Sequence, residues 1–162
     1  MRKLFGTVAL VGMMALPGTV QAQGTTVIGG LLAYHTDAEA VGIGAYAGIP
    51  LSSVHPNLSI KPDFTFFFPD GYDYWELNGD AVWRFDLADN QQIVPFALGG
   101  INIAHTSVSA GGFSASNTDV GLNLGGGVIF PLESIRPVVG AKFEIQDNTG
   151  FVLFGGVGFG IN

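Results

Sequence analysis

From residue 24 onward, hydrophobic and polar residues alternate along the chain in short runs. The run 74–86 shows this best. Its odd positions are Trp75, Leu77, Gly79, Ala81, Trp83 and Phe85, and its even ones Tyr74, Glu76, Asn78, Asp80, Val82, Arg84 and Asp86. A period of two belongs to extended chain, whose successive side chains point to opposite faces. Residues 58–68 set Ile60, Phe64, Phe66 and Phe68 against Ser59, Lys61, Asp63 and Thr65. Residues 135–146 set Ile135, Val139, Ala141, Phe143 and Ile145 against Arg136, Gly140, Lys142, Glu144 and Gln146. Residues 120–130 carry Val120, Leu122, Leu124, Val128 and Phe130 on one face, and 151–161 carry Phe151, Leu153, Val157, Phe159 and Ile161.

Continued along the chain, the pattern predicts eight strands, near 25–35, 41–50, 58–68, 74–86, 93–106, 120–130, 135–146 and 151–161. Asp, Asn, Ser, Gly and Pro cluster between them, as turns require. Glycines inside the apolar runs, with abundant Val, Ile and Phe, disfavour helix. Two places are irregular. Residues 93–106 change phase near Gly99-Gly100, which predicts a bulge. Pro62 cannot donate to a ladder, so it requires a bulge or a local gap.

Charge decides what the two faces mean. Arg2 and Lys3, the apolar stretch Leu4–Leu16 and the small residues Val20-Gln21-Ala22 predict a cleavable signal peptide over 1–22, leaving 23–162 as one domain. That domain keeps four basic residues, Lys61, Arg84, Arg136 and Lys142, against thirteen acids, a net charge of −9. A water-soluble surface needs more charge of both signs. After residue 22 no run is long and apolar enough for a spanning helix. A closed barrel satisfies every backbone group in lipid while showing an apolar exterior. The expected fold is therefore all-β: an eight-stranded antiparallel up-and-down transmembrane barrel of the bacterial outer membrane.

All four bases fall on the polar face, with Asp63, Glu76, Asp80 and Glu144. The interior of such a barrel is just wide enough for side chains to fill. A charge network of Lys61, Asp63, Glu76, Asp80, Arg84, Arg136, Lys142 and Glu144 is expected there, four of each sign, with Asn78 and Asn123 contributing. Pairing across the 69–73 turn brings Lys61 near Asp80. Outside, Trp75, Trp83 and Phe85 are expected in the membrane girdles. The tryptophans lie eight residues apart, and at roughly 3.3 Å per residue this separation is close to the height of a lipid-facing band. The segments 36–40, 69–73, 107–119 and 147–150 are expected to face outward from the cell, carrying Asp37, Glu39, Asp70, Asp73, Asp119 and Asp147. The inverse alternative is a secreted lipocalin-like barrel, with the apolar face inside and the charges in water.

Candidate chemistry is sparse. There is no cysteine, and His35, His55 and His105 have no metal-ligand spacing, so no metal or cofactor is expected. Gly125-Gly126-Gly127 lies within a strand and opens no helix, so it is not a phosphate loop. The acidic balance argues against nucleic acid. His105 and Ser107 share a strand face and Asp119 follows, a loose outline of a nucleophile, base and acid. It resembles the His-x-Ser motif of lipid A deacylases, with Val108 in place of their Asn and Asp119 in place of their Glu.

The stretch Gly121-Leu122-Asn123-Leu124-Gly125-Gly126-Gly127-Val128, followed after the Pro131–Ser134 turn by Arg136-Pro137-Val138-Val139, resembles small outer-membrane barrels of the OmpA-like and opacity-type porin superfamily. Gly156, Phe159 and Ile161 are similar to the C-terminal signal such barrels present to the barrel-assembly machinery, although this chain ends Ile161-Asn162 rather than in Phe or Trp. The resemblance implies outer-membrane lipid and that machinery as partners, and no periplasmic domain is expected to follow the barrel. It leaves the role open. The expectation is a non-enzymatic structural or surface-exposed envelope protein with a side-chain-plugged interior. The alternatives are a narrow porin-like channel for ions or small solutes, the lipocalin-like binder, and a deacylase-like enzyme.

Overall fold

The computed structural model describes residues 24–87, 92–147 and 149–161. The expected signal peptide and its cleavage site lie outside these residues. Eight strands follow in order: β1 (Thr26–His35), β2 (Ala40–Pro50), β3 (Leu58–Phe67), β4 (Asp73–Arg84), β5 (Val94–Ala110), β6 (Phe113–Ile129), β7 (Arg136–Ile145) and β8 (Thr149–Ile161). Each pairs antiparallel with the next, and β1 closes on β8 from Thr26↔Ile161 to His35↔Val152. Closure leaves no edge strand to satisfy elsewhere.

The polar face is inside. Asp63, Glu76, Asp80, Lys142 and Glu144 are buried, while Leu32, Ile43, Ile101, Leu122, Leu124 and Phe143 are each more than half exposed. The lipocalin-like alternative required the opposite orientation and is ruled out. Turns at 36–39, 68–72 and 111–112, and the bend at 146–147, mark one end of the barrel, here called distal. The other is the terminal end, where Thr26 meets Ile161.

Three local expectations are resolved. The segment 107–119 is not a loop. β5 and β6 run on as a paired ribbon to Ala110↔Phe113. Gly111 (φ 57°) and Gly112 (φ 88°) close it, and glycine fits both left-handed positions of such a two-residue turn. Ser107, Ser109, Ser114 and Ser116 share one face and Val108, Ala110, Phe113 and Ala115 the other, but both faces are exposed, and a small Ser-, Ala- and Gly-rich run reads as a turn. No bulge occurs at Gly99-Gly100, since the β4–β5 and β5–β6 registers run through unbroken. The phase change is only apparent, because Phe96 and Leu98 are apolar residues pointing inward. At Pro62 the β2–β3 ladder has a local gap: pairing stops at Tyr46↔Asp63 and resumes at Ile49↔Ile60 in the same register.

Candidate functional site: the charged lumen

Strand alternation delivers the inner side chains to common levels. Lys61 stands opposite Asp80 and Thr65 opposite Glu76. Lys142 on β7 stands opposite Gly125 on β6, and Asn123 opposite Glu144. A methyl at Gly125 would come within 2.7 Å of the Lys142 Cβ. The missing side chain is what lets lysine occupy that level.

A continuous network results. The Lys61 ammonium donates to Asp63 and lies 3.4 Å from Asp80 Oδ2. Asn78 Nδ2 donates to Asp63 Oδ1 (2.9 Å), and Asn123 Nδ2 donates to Asn78 Oδ1 (2.9 Å) and Asp80 Oδ1 (2.8 Å). The Lys142 ammonium donates to Asn78 Oδ1 (2.9 Å) and lies 2.7 Å from Glu144 Oε1 and 3.8 Å from Glu76 Oε2. Tyr74 donates its hydroxyl to Glu76 (2.5 Å). His35 Nδ1 accepts the Ala38 N–H (3.2 Å), which leaves Nε2 facing Glu144 at 3.4 Å and Glu76 at 3.8 Å. Beside this chain, Gln146 donates to Asn102 (2.9 Å), and Asn102 is fully buried. Charges this far from water require partners, and each acid of the network has a cation within reach.

Six of the eight expected network residues meet here: Lys61, Asp63, Glu76, Asp80, Lys142 and Glu144. Arg84 and Arg136 do not. They lie at the terminal ends of β4 and β7. Arg84 donates to the Pro56 carbonyl (2.8 Å), and neither arginine joins an ion pair among the described residues. The expected balance of four and four therefore fails inside the network, where two lysines face four acids. His35 supplies a third cation when protonated. His35, Tyr74, Asn102 and Gln146 were missed by sequence reasoning. The signal for His35 was its parity with Leu31 and Ala33, hidden because β1 is apolar on both faces.

The ligand atoms of His35, Glu76 and Glu144 lie within 4.8 Å of one another. The Lys142 ammonium and the Tyr74 hydroxyl already occupy these carboxylates, so a metal ion would meet a positive charge. The three aromatics expected in the membrane girdles all point outward. Trp75 stacks on His105 (centroids 5.1 Å), Trp83 lies 4.4 Å from the His55 ring, and Phe85 is exposed. His105 and Ser107 do share the outer face, where His105 Nδ1 lies 2.8 Å from Thr118 Oγ1. Asp119 stands opposite the inward Ala104 and lines the distal mouth with Glu144. The triad outline thus fails, because histidine and acid sit on opposite faces of the sheet.

A closed antiparallel eight-stranded barrel, apolar outside and charged within, defines the class of small outer-membrane-type barrels. No protein-family model and no curated protein matches the sequence. Solved structures share the fold. The N-terminal β-barrel domain of Pseudomonas aeruginosa OprF superposes with a TM-score of 0.73 at 14% identity, over 87% of this chain and 100% of that one. Neisserial surface protein A gives 0.67 at 16% identity, over 84% and 96%. The outer membrane enzyme PagL gives 0.54 at 15% identity, over 83% and 99%.

Proposed function

We propose that this chain is a bacterial outer-membrane protein with a structural or surface-exposed envelope role, carrying no catalysis, and that its lumen is closed to solutes. The carrying observation is the network from His35 to Asp80, which ties β1, β3, β4, β6 and β7 together across the middle of the barrel. The exposed apolar exterior fits lipid, and outer-membrane proteins share the fold. Lipid is thus the first partner, and β8 is the strand that would engage the barrel-assembly machinery.

A narrow ion channel is the second reading. One observation favours it: cavities of about 300 Å³ approach the network from both ends, reaching Lys61 from one side and Glu144 from the other. The role itself is tested by deleting the gene. Loss of the protein should sensitise cells to detergent, and Ser107→Ala should restore resistance as well as the wild type. Resistance unchanged by deletion would overturn the structural role, and failure of Ser107→Ala to complement would reopen catalysis.

A further inference from the structure

The terminal-end cavity is unlike the rest of the lumen. Its walls are apolar, with Val82, Phe96, Val138 and Phe154 among them. Its charged lining residues are Lys61, Arg84 and Arg136, with no carboxylate among the described residues that line it. Lys61 is answered by Asp63 and Asp80, and its ammonium lies over the Phe154 ring (5.6 Å), marking the inner limit. The two arginines stand at the mouth. Arg84 uses one nitrogen on the Pro56 carbonyl, and a guanidinium carries five N–H donors. Arg136 makes no hydrogen bond or ion pair among the described residues.

The wall itself is shaped to keep this space open. A Cβ at Gly29 would fall 2.6 Å from the Tyr46 ring, one at Gly140 2.5 Å from the Phe154 ring and one at Gly127 2.9 Å from the Phe96 ring. All three glycines point inward. The aromatic rings therefore lie against bare backbone instead of crossing the lumen.

We propose that this cavity binds a single-chain anionic amphiphile, with the alkyl chain inside and the headgroup on Arg84 and Arg136. Two cations beside apolar walls select this chemistry. A neutral lipid would leave the arginines unanswered, and a small inorganic anion would leave the walls wet. A carboxylate or phosphate headgroup accepts bidentate hydrogen bonds from a guanidinium, and such charge-assisted bonds are strong. Ligand sites of this kind combine an apolar enclosure with a few placed polar groups. Free fatty acid and lysophospholipid share the required features.

The test uses the folded full-length barrel in phosphatidylcholine nanodiscs, with cis-parinaric acid as the fluorescent probe and empty discs as background. Saturable binding is expected, displaced by dodecanoate or by an anionic lysophospholipid and far less by dodecyltrimethylammonium. Whichever anion displaces better identifies the source. Arg136→Gln should weaken binding about tenfold, as expected for a lost charge-assisted contact, and Val138→Phe should weaken it by filling the chamber. Heat-dependent gel mobility checks that each variant is folded, and Arg136, with no hydrogen bond or ion pair among the described residues, is a mild substitution. Fluorescence no higher than empty discs, equal displacement by the cationic analogue, or undiminished binding in Arg136→Gln would each overturn the proposal.

Discussion

The distal and terminal halves of the lumen are walled by the same eight strands, yet they are filled in opposite ways. In the distal half, His35, Tyr74, Glu76, Lys142 and Glu144 converge until each polar group touches another. Phe67, lying over Gly42, and Val152 pack beside them. In the terminal half, Tyr46, Phe96 and Phe154 fold back on wall glycines, and a chamber of about 300 Å³ remains. The acids of the lumen are gathered in the middle and distal parts, while Arg84 and Arg136 stand at the terminal mouth with no ion-pair partner among the described residues. A bracing function needs mutually satisfied charges, and a binding function needs charges left over. The two halves divide in this way.

The sharpest way to break the comparison is to remove a central charge. Lys142→Met leaves Glu76 and Glu144 buried without their shared cation and should cost about 3–5 kcal/mol, read by urea unfolding in lipid vesicles. A loss under about 1 kcal/mol would mean that the network does not brace the barrel. Next in size is the outer wall. Ile101 is 55% exposed on the exterior at the level of Asn78 and Asn102. Ile101→Lys should cost about 2–4 kcal/mol in a bilayer, while Ser109→Lys, on the same face of β5 in the distal ribbon, should cost about 1 kcal/mol or less. Equal costs would contradict a lipid belt at this height.

Much of this was legible because the alternation is strict wherever one face meets polar partners. β3, β4 and β7 disclosed both their bounds and their inner charges, and Lys61 opposite Asp80 followed from the turn alone. Legibility failed where the two faces look alike. β1 hid His35 among small and apolar residues. The distal ribbon, exposed on both faces and rich in Ser, Ala and Gly, looked like a loop. Phe96 and Leu98 simulated a bulge because the terminal half of the lumen is apolar. The separation of Arg84 and Arg136 from the network was hidden for another reason: parity fixes a residue's face, whereas its level depends on the register of all eight strands.

Packing sharpens the comparison further. A Cβ at Gly42 would meet Phe67 and Thr65 side-chain atoms at 2.7–2.9 Å. Gly42→Val should therefore cost about 1–3 kcal/mol by overpacking. At outward Gly155 the nearest atoms stand at 3.7–3.9 Å, ordinary contact, and the same substitution should change unfolding by no more than about 0.5 kcal/mol. The smallest effect is expected at the terminal mouth. Arg136→Gln removes no bond among the described residues and should leave stability within about 0.5 kcal/mol, in contrast to Lys142→Met. A large loss there would place Arg136 in the brace rather than in the binding site.

Single-channel recording on the protein refolded and inserted in a planar lipid bilayer tests the closed lumen most directly. Insertion is verified independently by heat-dependent gel mobility. The network from His35 to Asp80 predicts an inserted barrel that is electrically silent. Discrete, reproducible conductance steps that change with substitution of Lys61 or Asp80 would contradict it, and would make the same charges the lining of a path.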